Sequence, residues 1–386
     1  MKSATQAVLH NYYSAGFIKI YTMSTPKKYL QFIFPFFNTK RTKEIFRINP
    51  TVIPVREEAL DISIYVYDYN STYLKEYDLK STEDCFPFRD NNNNSWINID
   101  GIRKADVEAI CNHFGVHYLL MEDILSVGQR PKMDEFDGIL FCLLNMLYFN
   151  DVNDAIETEQ ISIVLGNNFV LSFQEYKDKD VFNHLRDKLR ISTSKQRQSK
   201  SDYLCYSMID LIVDNYYNVL EKLGEKIELL EEEIIRFGNT RSLARINGLR
   251  KELIVLKRNM VPVRDMVNGF LRTDSELLEE RTTKYFKDVY DHIVQANDLV
   301  ENYRDMMINL QDLYMNKVNL KLNEVMKVMT IVTCLLAPAT VIGGVFGMNF
   351  EIIPLTHQTE GFYVALAMMI LIPIWMIVIF KKRGWF

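Results

Sequence analysis

No two of the five cysteines (Cys85, Cys111, Cys142, Cys205 and Cys334) form a CxxC pair. That argues against a disulfide scaffold or zinc ribbon and fits free thiols in a reducing compartment. Cys111, His113 and His117 have a spacing that zinc could use, but Gly115 interrupts them and no fourth ligand is evident. The chain also lacks a P-loop, a GxGxxG turn, an HExxH pair and any Ser/His/Asp set that stands out. An ATP-driven pump is therefore not expected, nor an enzyme. No basic stripe interleaves with aromatics, so no nucleic-acid partner is expected. A signal peptide is missing too. The longest apolar stretch near the N-terminus, Tyr29 to Phe37, contains Pro35 and no cleavage pattern. The bulk of the chain is expected in the cytoplasm.

Charge is absent from two longer stretches. Val328 to Phe346 and Phe362 to Phe380 each run 19 residues without Asp, Glu, Lys or Arg. About 20 apolar residues cross a bilayer core as helix, so the pair reads as a transmembrane hairpin in contact with lipid. Its connection, Gly347 to Gly361, carries no Lys or Arg. Lys327 precedes the first span, and Lys381, Lys382 and Arg383 follow the second. The positive-inside rule places both termini and this basic mouth in the cytoplasm, and the connection outside the cell membrane. Two helices per chain cannot enclose a polar path, so a pore needs several subunits.

The remainder is ordinary for a soluble globule: 25% of residues are charged and the net charge is −5. Residues 1–55 form an N-terminal extension with basic pieces such as Lys27-Lys28. Residues 56–200 read as an α+β domain, a mixed sheet with helices. Ile62 to Tyr69 alternates as a strand does, and Gly138 to Tyr148 is a β-type or buried run. Ile161 to Leu165 and Phe169 to Phe173 flank Gly166-Asn167-Asn168 as a hairpin. Asp106 to Phe114 and Asp180 to Leu189 read as helices. Residues 201–272 form an antiparallel pair of helices, stopped at Gly238-Asn239 and kinked at Pro262. Six glutamates from Glu221 to Glu233 face Lys222, Lys226 and Arg236 there, which is a solvated helix face or an acidic arm that attracts cations.

Residues 273–327 form a stalk helix. Phe286, Tyr290, Ile293, Ala296, Val300, Tyr303, Met307, Leu310 and Tyr314 recur at spacings of 3 and 4. That is one apolar seam, needing partners that include the same helix in other subunits. Run unbroken from Glu276 to Phe346, through the first span, 328–346, the helix is roughly 105 Å long at about 1.5 Å per residue. The loop 347–361, the second span 362–380 and a basic tail, 381–386, follow.

Gly347-Met348-Asn349 between two such spans resembles the signature of the CorA family of magnesium channels. Asn323-Glu324-Val325-Met326-Lys327-Val328 enters the first span as in that family, Pro338 breaks it, and Phe346-Gly347-Met348-Asn349-Phe350-Glu351 ends it. Pro87-Phe88-Arg89-Asp90, Trp96-Ile97-Asn98-Ile99, Glu122-Asp123-Ile124-Leu125, Gln129-Arg130-Pro131-Lys132 and Asp288-Val289-Tyr290-Asp291-His292 are similar as well. The match runs in order from about residue 80 to the C-terminus.

The resemblance implies a homopentamer that passes Mg2+, with Co2+ and Ni2+ as further candidates, passively into the cell. Mg2+ is a hard ion that gives up its water reluctantly, so neutral oxygens suffice to read the hydrated ion. A ring of Asn349 amides would accept from its waters, Gly347 would permit the turn, and Met348 would pack behind. Asn323, Met326, Thr330, Thr333, Ala337, Thr340 and Gly344 share one face of the first span and would line the path, with Met326 and Met329 as the constriction. Gly343 and Gly347 also suit close helix packing. Family members often carry a bulky apolar residue where this chain has Ala337, which moves the expected gate down to the methionines. The resemblance also marks Asp288, Glu122 and Asp123 as carboxylates that Mg2+ bridges between subunits to hold the closed state. Glu351 remains in the external loop, whose other acid, Glu360, stands next to Gly361 at the start of the second span. The rivals are a zinc or other divalent-cation transporter of the same superfamily, and a membrane-anchored divalent-ion sensor that conducts nothing.

Overall fold

The computed structural model describes residues 58–59, 61–348, 353–355 and 358–385. The chain divides into units 1–47 and 48–386, and every described residue belongs to the second. The expected extension 1–55 lies outside the described residues.

Seven strands form one sheet: β1 (Ser63–Tyr69), β2 (Leu74–Leu79), β3 (Asn94–Asp100), β4 (Lys132–Phe136), β5 (Ile139–Asn150), β6 (Ala155–Leu165) and β7 (Phe169–Gln174). Their order is β2-β1-β3-β7-β6-β5-β4. Every pairing is antiparallel except β3 with β7, so the sheet is mixed as expected. Strands β2, β3 and β4 were not anticipated. β6 starts six residues earlier than its apolar run, because Ala155 to Gln160 pair with the far half of β5.

Helices α1 (Lys104–Phe114) and α2 (Tyr118–Leu125) lie on one face of the sheet. Ile110, Phe114, Leu120 and Ile124 join Ile64, Ile97, Phe141 and Leu171 in a fully buried core there. The three residues of the zinc-like spacing work separately in this layer. Cys111 is buried, and its thiol is pushed up to about 12 by desolvation. His113 stacks on Phe86, and His117 caps α2 by accepting from the Leu119 amide.

Helix α3 (Asn183–Arg190) and the short α4 (Lys195–Gln198) lead to α5 (Ser201–Arg236), α6 (Thr240–Arg272) and α7 (Glu280–Phe346). α3 begins three residues later than anticipated, because Asp180 to Phe182 form its approach, with the Asp180 carboxylate accepting from the Phe182 amide. α6 runs on through Pro262 as one helix. α5 and α6 both pack along α7, and α5 also covers β5. Phe286, Ile293, Ala296, Val300, Met307, Leu310 and Tyr314 are therefore buried within the chain. Within the chain, the stalk seam finds its partners in α5 and α6.

α7 contains 67 residues, or about 100 Å at 1.5 Å per residue. It begins at Glu280, later than the expected 273, and it continues through Pro338 instead of breaking. The carbonyl of Cys334 loses a partner at the proline, a loss that membrane helices absorb through their neighbours. α8 (Thr359–Lys382) returns along its last part. Both are long and apolar enough to span a membrane, with mean hydropathy 2.0 and 2.6 over their best windows. Lys327 Nζ lies 3.4 Å from the Gly384 carbonyl, so the start of the first span and the basic tail meet at one end of the hairpin.

Candidate functional site

The first span has two unlike faces. Ile331, Cys334, Leu335, Pro338, Ala339, Ile342 and Phe346 are buried or half-buried, and they recur at spacings of 3 and 4. α8 packs on this span, and Ile331 and Ala365 are its most covered side chains. Asn323, Met326, Met329, Thr330, Thr333, Ala337, Thr340 and Gly344 are all exposed. At about 100° per residue this second set points some 200° away from the first. The residues read from the sequence as a pathway therefore form a single face, turned from α8 and left without a partner among the described residues.

The three hydroxyls on that face share one geometry. Thr330 donates to the Met326 carbonyl at 2.8 Å, Thr333 to Met329 at 2.9 Å and Thr340 to Leu336 at 3.1 Å. Each hydroxyl proton is occupied by the helix, so the oxygen presents lone pairs outward. Water bound to a cation points its hydrogens away from the ion. A row of acceptor-only oxygens matches that shell.

At the end of α7, Gly347 has φ −92° and ψ 1°. That conformation is open to any residue, so the turn itself does not call for glycine. A Cβ there would sit 3.1 Å from the Gly343 carbonyl oxygen, a tight contact that a shift of a few tenths of an ångström relieves. Met348 is 51% exposed. Asn349 and Glu351 lie outside the described residues. Leu355 adopts φ +74°, and a Cβ on Gly361 would lie 2.0 Å from its carbonyl oxygen, so glycine closes the loop there by steric necessity.

The carboxylates Glu122, Asp123 and Asp288 occupy two places. Glu122 is exposed on α2, and Asp123 beside it is half-buried. The Asp123 carboxylate pairs with Lys132 Nζ at 2.6 Å, and the same ammonium reaches Asp134 at 3.1 Å. Asp288 is exposed on α7 beside Asp210 and Tyr206 of α5. Burial, with Asp214 and Asp288 nearby, holds the Asp210 carboxyl above its usual range. Oxygen donors in these positions suit a hard divalent ion.

Asp210, Asp214 and His292 each offer a ligand atom, all within 4.8 Å of one another. Sequence reasoning missed both this group and Lys132. The available signals were the i,i+4 spacing of Asp210 with Asp214 and of Asp288 with His292. Each puts two ligand types on one helix face.

The model of the family described as CorA-like Mg2+ transporter protein matches residues 91–382. A cobalt/magnesium transport protein CorA of Thermotoga maritima is 40% identical over 326 residues, covering 84% of this chain and 93% of that one. The chain belongs to the CorA-like Mg2+ transporter family. A putative metal ion transporter of Bacillus subtilis, YfjQ, is 29% identical over 75% of this chain and 89% of its own length. The structure of a CorA magnesium transporter from Methanocaldococcus jannaschii superposes with a TM-score of 0.70 at 22% identity, over 86% of this chain and all of that one. That likeness shows the fold: a mixed-sheet domain, a long helix and a terminal apolar helix. Two apolar helices and the family together make this CorA-family chain a membrane transporter protein.

Proposed function

We propose that copies of this chain assemble around the exposed face of α7 as a channel, pentameric as the resemblance implies, that admits Mg2+ to the cell down its electrochemical gradient. The observation that carries the reading is that face: eight uncharged residues in one row, opposite α8, with every threonine hydroxyl turned into an acceptor. A ring of Asn349 amides at its outer end would select the hydrated ion, and Met326 and Met329 would form the constriction. The hairpin sits in the cell (inner) membrane, with both termini and the residues Lys327, Lys381, Lys382 and Arg383 on the cytoplasmic side and Glu351 outside. A divalent ion gains roughly 4.6 kcal/mol per 100 mV, at about 2.3 per charge, so no fuel site is needed. Cytoplasmic Mg2+ at Asp288, Glu122 and Asp123 of neighbouring subunits would hold the pore shut and release it as the ion is depleted. Co2+ and Ni2+ are further candidates for passage.

The test is uptake into proteoliposomes under an inside-negative potential, with Mg2+, Co2+ and Zn2+ run in parallel. Mg2+ uptake by the native chain, lost in Asn349→Ala with assembly intact, is expected. Near-normal uptake in Asn349→Ala removes the filter. Zn2+ uptake without Mg2+ uptake makes the chain a zinc transporter, and no uptake of any ion makes it a sensor.

A further inference from the structure

We propose that the basic end of the hairpin holds one anionic phospholipid headgroup per chain, gripped by Lys327 of α7 and by Lys381, Lys382 and Arg383 at the end of α8. The proposal rests on the hairpin crossing a membrane, not on conduction. The first observation is an excess of cations. No carboxylate among the described residues pairs with any of the four. Glu324, one turn back on α7, leaves Lys327 alone, and this half-buried ammonium has only the Gly384 carbonyl, at 3.4 Å. Val328 begins one uncharged run and Phe380 closes the other, so both spans leave the hydrocarbon at this level. The anions found at that depth are phospholipid phosphates.

The second observation is that the tail is folded. The Trp385 amide donates to the Phe380 carbonyl at 3.0 Å and the Gly384 amide to the Lys381 carbonyl at 3.2 Å, which closes α8 in a left-handed cap. Gly384 has φ +70°, a conformation that glycine adopts without strain. The Trp385 ring stacks on Phe380, with centroids 5.2 Å apart and planes 6° from parallel. The chain therefore does not run on into water. It turns back at Gly384 and keeps Trp385 beside the last apolar side chain, the depth at which indoles anchor in a membrane interface. The same reversal carries the Gly384 carbonyl to Lys327, and so gathers the tail's cations around the start of the first span.

Depth and charge together decide the ligand. A free anion meets these cations from water, whereas a lipid presents its phosphate at their level and its chains to the apolar runs beside them. A zwitterionic headgroup brings an ammonium that the four cations repel, so the class is anionic. Each Lys or Arg close to an anionic surface adds about a fivefold preference. The effect fades within a Debye length of about 8 Å. Lys321, six residues before Lys327 and about 9 Å farther from the span along α7, therefore adds little. A headgroup held between Lys327 and the tail ties the ends of the two spans together.

Full-length protein in a neutral detergent, stripped of lipid, is titrated with phosphatidylglycerol, phosphatidylcholine or inorganic phosphate. Native mass spectrometry counts the bound lipid, and melting is followed in parallel. Expected is one phosphatidylglycerol per chain, retained where phosphatidylcholine is lost, with a rise in melting temperature that inorganic phosphate does not produce. Lys327→Gln should weaken phosphatidylglycerol about fivefold, and Lys321→Gln, with the same loss of charge, should not. Gly384→Val keeps every charge but does not hold φ +70°, so it should weaken the lipid as Lys327→Gln does. Lys381→Gln, at an exposed side chain, repeats the test if the Lys327 variant does not fold. Equal retention of the two lipids, or equal losses in Lys327→Gln and Lys321→Gln, leaves only a diffuse positive surface and overturns the site. Stabilisation by inorganic phosphate overturns it in favour of a free anion. A chain that stays soluble without detergent and keeps neither lipid overturns the hairpin itself.

Discussion

Lys132→Gln removes a cation that Asp123 already holds. The lysine Nζ lies 2.6 Å from the Asp123 carboxylate, whose side chain is 14% exposed, while the lysine is 37% exposed. Two unit charges about 4 Å apart attract by roughly 4 kcal/mol at an effective dielectric of about 20. Screening and side-chain ordering cut a pair this exposed to about 1 kcal/mol or less. A Mg2+ ion that takes Asp123 as ligand must break that pair. The lysine keeps Asp134, 3.1 Å away, so the displacement is affordable but not free. Without the ammonium, each subunit should bind Mg2+ more favourably by about 1 kcal/mol, near fivefold in affinity. The assay is limited proteolysis of full-length protein across a Mg2+ series, reading the concentration that half-protects α5 to α7. That concentration should fall about fivefold in Lys132→Gln and stay put in Lys132→Arg. If Lys132→Gln leaves it unchanged or raises it, Asp123 is not a cation ligand and the lysine is only a structural partner.

Gly361→Ala should destabilise the external loop by about 2 kcal/mol, the cost of overpacking, because its Cβ would lie 2.0 Å from the Leu355 carbonyl. Gly344→Ala, with nothing within 4 Å, should leave the melting temperature alone, and equal melting of the two would refute the contact. Thr333→Val preserves shape and helix but deletes an acceptor from every subunit, so Mg2+ flux should fall tenfold or more while oligomer size stays constant; normal flux would dismiss the hydroxyl row. Burial raises the Asp100 carboxyl, so the folded form holds its proton to higher pH than the unfolded chain and stability falls as pH rises through that window. Asp100→Asn should therefore raise thermal stability near neutral pH and flatten the slope, and a less stable variant would mean that the hydrogen bonds from Asn98 and Gln174 need a charge. Asn316→Pro breaks α7 between the cation sites and the span, so Mg2+ should still protect α5 but no longer inhibit uptake; retained inhibition would mean that α7 does not carry the signal.

The membrane hairpin, the stalk and the arm were legible because their patterns are long: 19 uncharged residues, or an apolar position every third or fourth residue over eight turns. β3 was not. Its Asn98 and Asp100 are buried polar residues satisfied by Ser172 and Gln174 of β7, so alternation of apolar and polar fails where the sheet face is itself a hydrogen-bond network. β2 is an edge strand with charged residues at Lys75, Glu76 and Asp78, which hides it for the opposite reason. The row from Asn323 to Gly344 could be written down from spacing, but the direction of the threonine protons could not. Nor could the partner of the stalk seam, because any apolar stripe fits either the same chain or another copy. The Lys132–Asp123 pair and the Asp210–Asp214–His292 group depend on tertiary packing. His292 is 78 residues from Asp214, and only the seating of α7 against α5 brings them together.

That seating would also explain how the proposed cation sites, so far from the membrane, can matter to the proposed pore. Asp288 precedes Met326 by 38 residues on one unbroken helix, about 57 Å along its axis. Along most of that length α7 is gripped by α5 and α6. Beyond Tyr314 its exposed side chains include Met315, Leu320, Leu322, Val325 and Met326. A rod held at one end and loose at the other acts as a lever. A tilt of about 5° where the carboxylates lie moves the methionine level by roughly 5 Å, given the rise of 1.5 Å per residue. That is more than the difference between a ring of methionines in contact and one that admits water. An ion bound at Asp288 therefore need not send any signal through side chains. It has only to favour one seating of a helix whose far end, on the function proposed above, is the wall of the path.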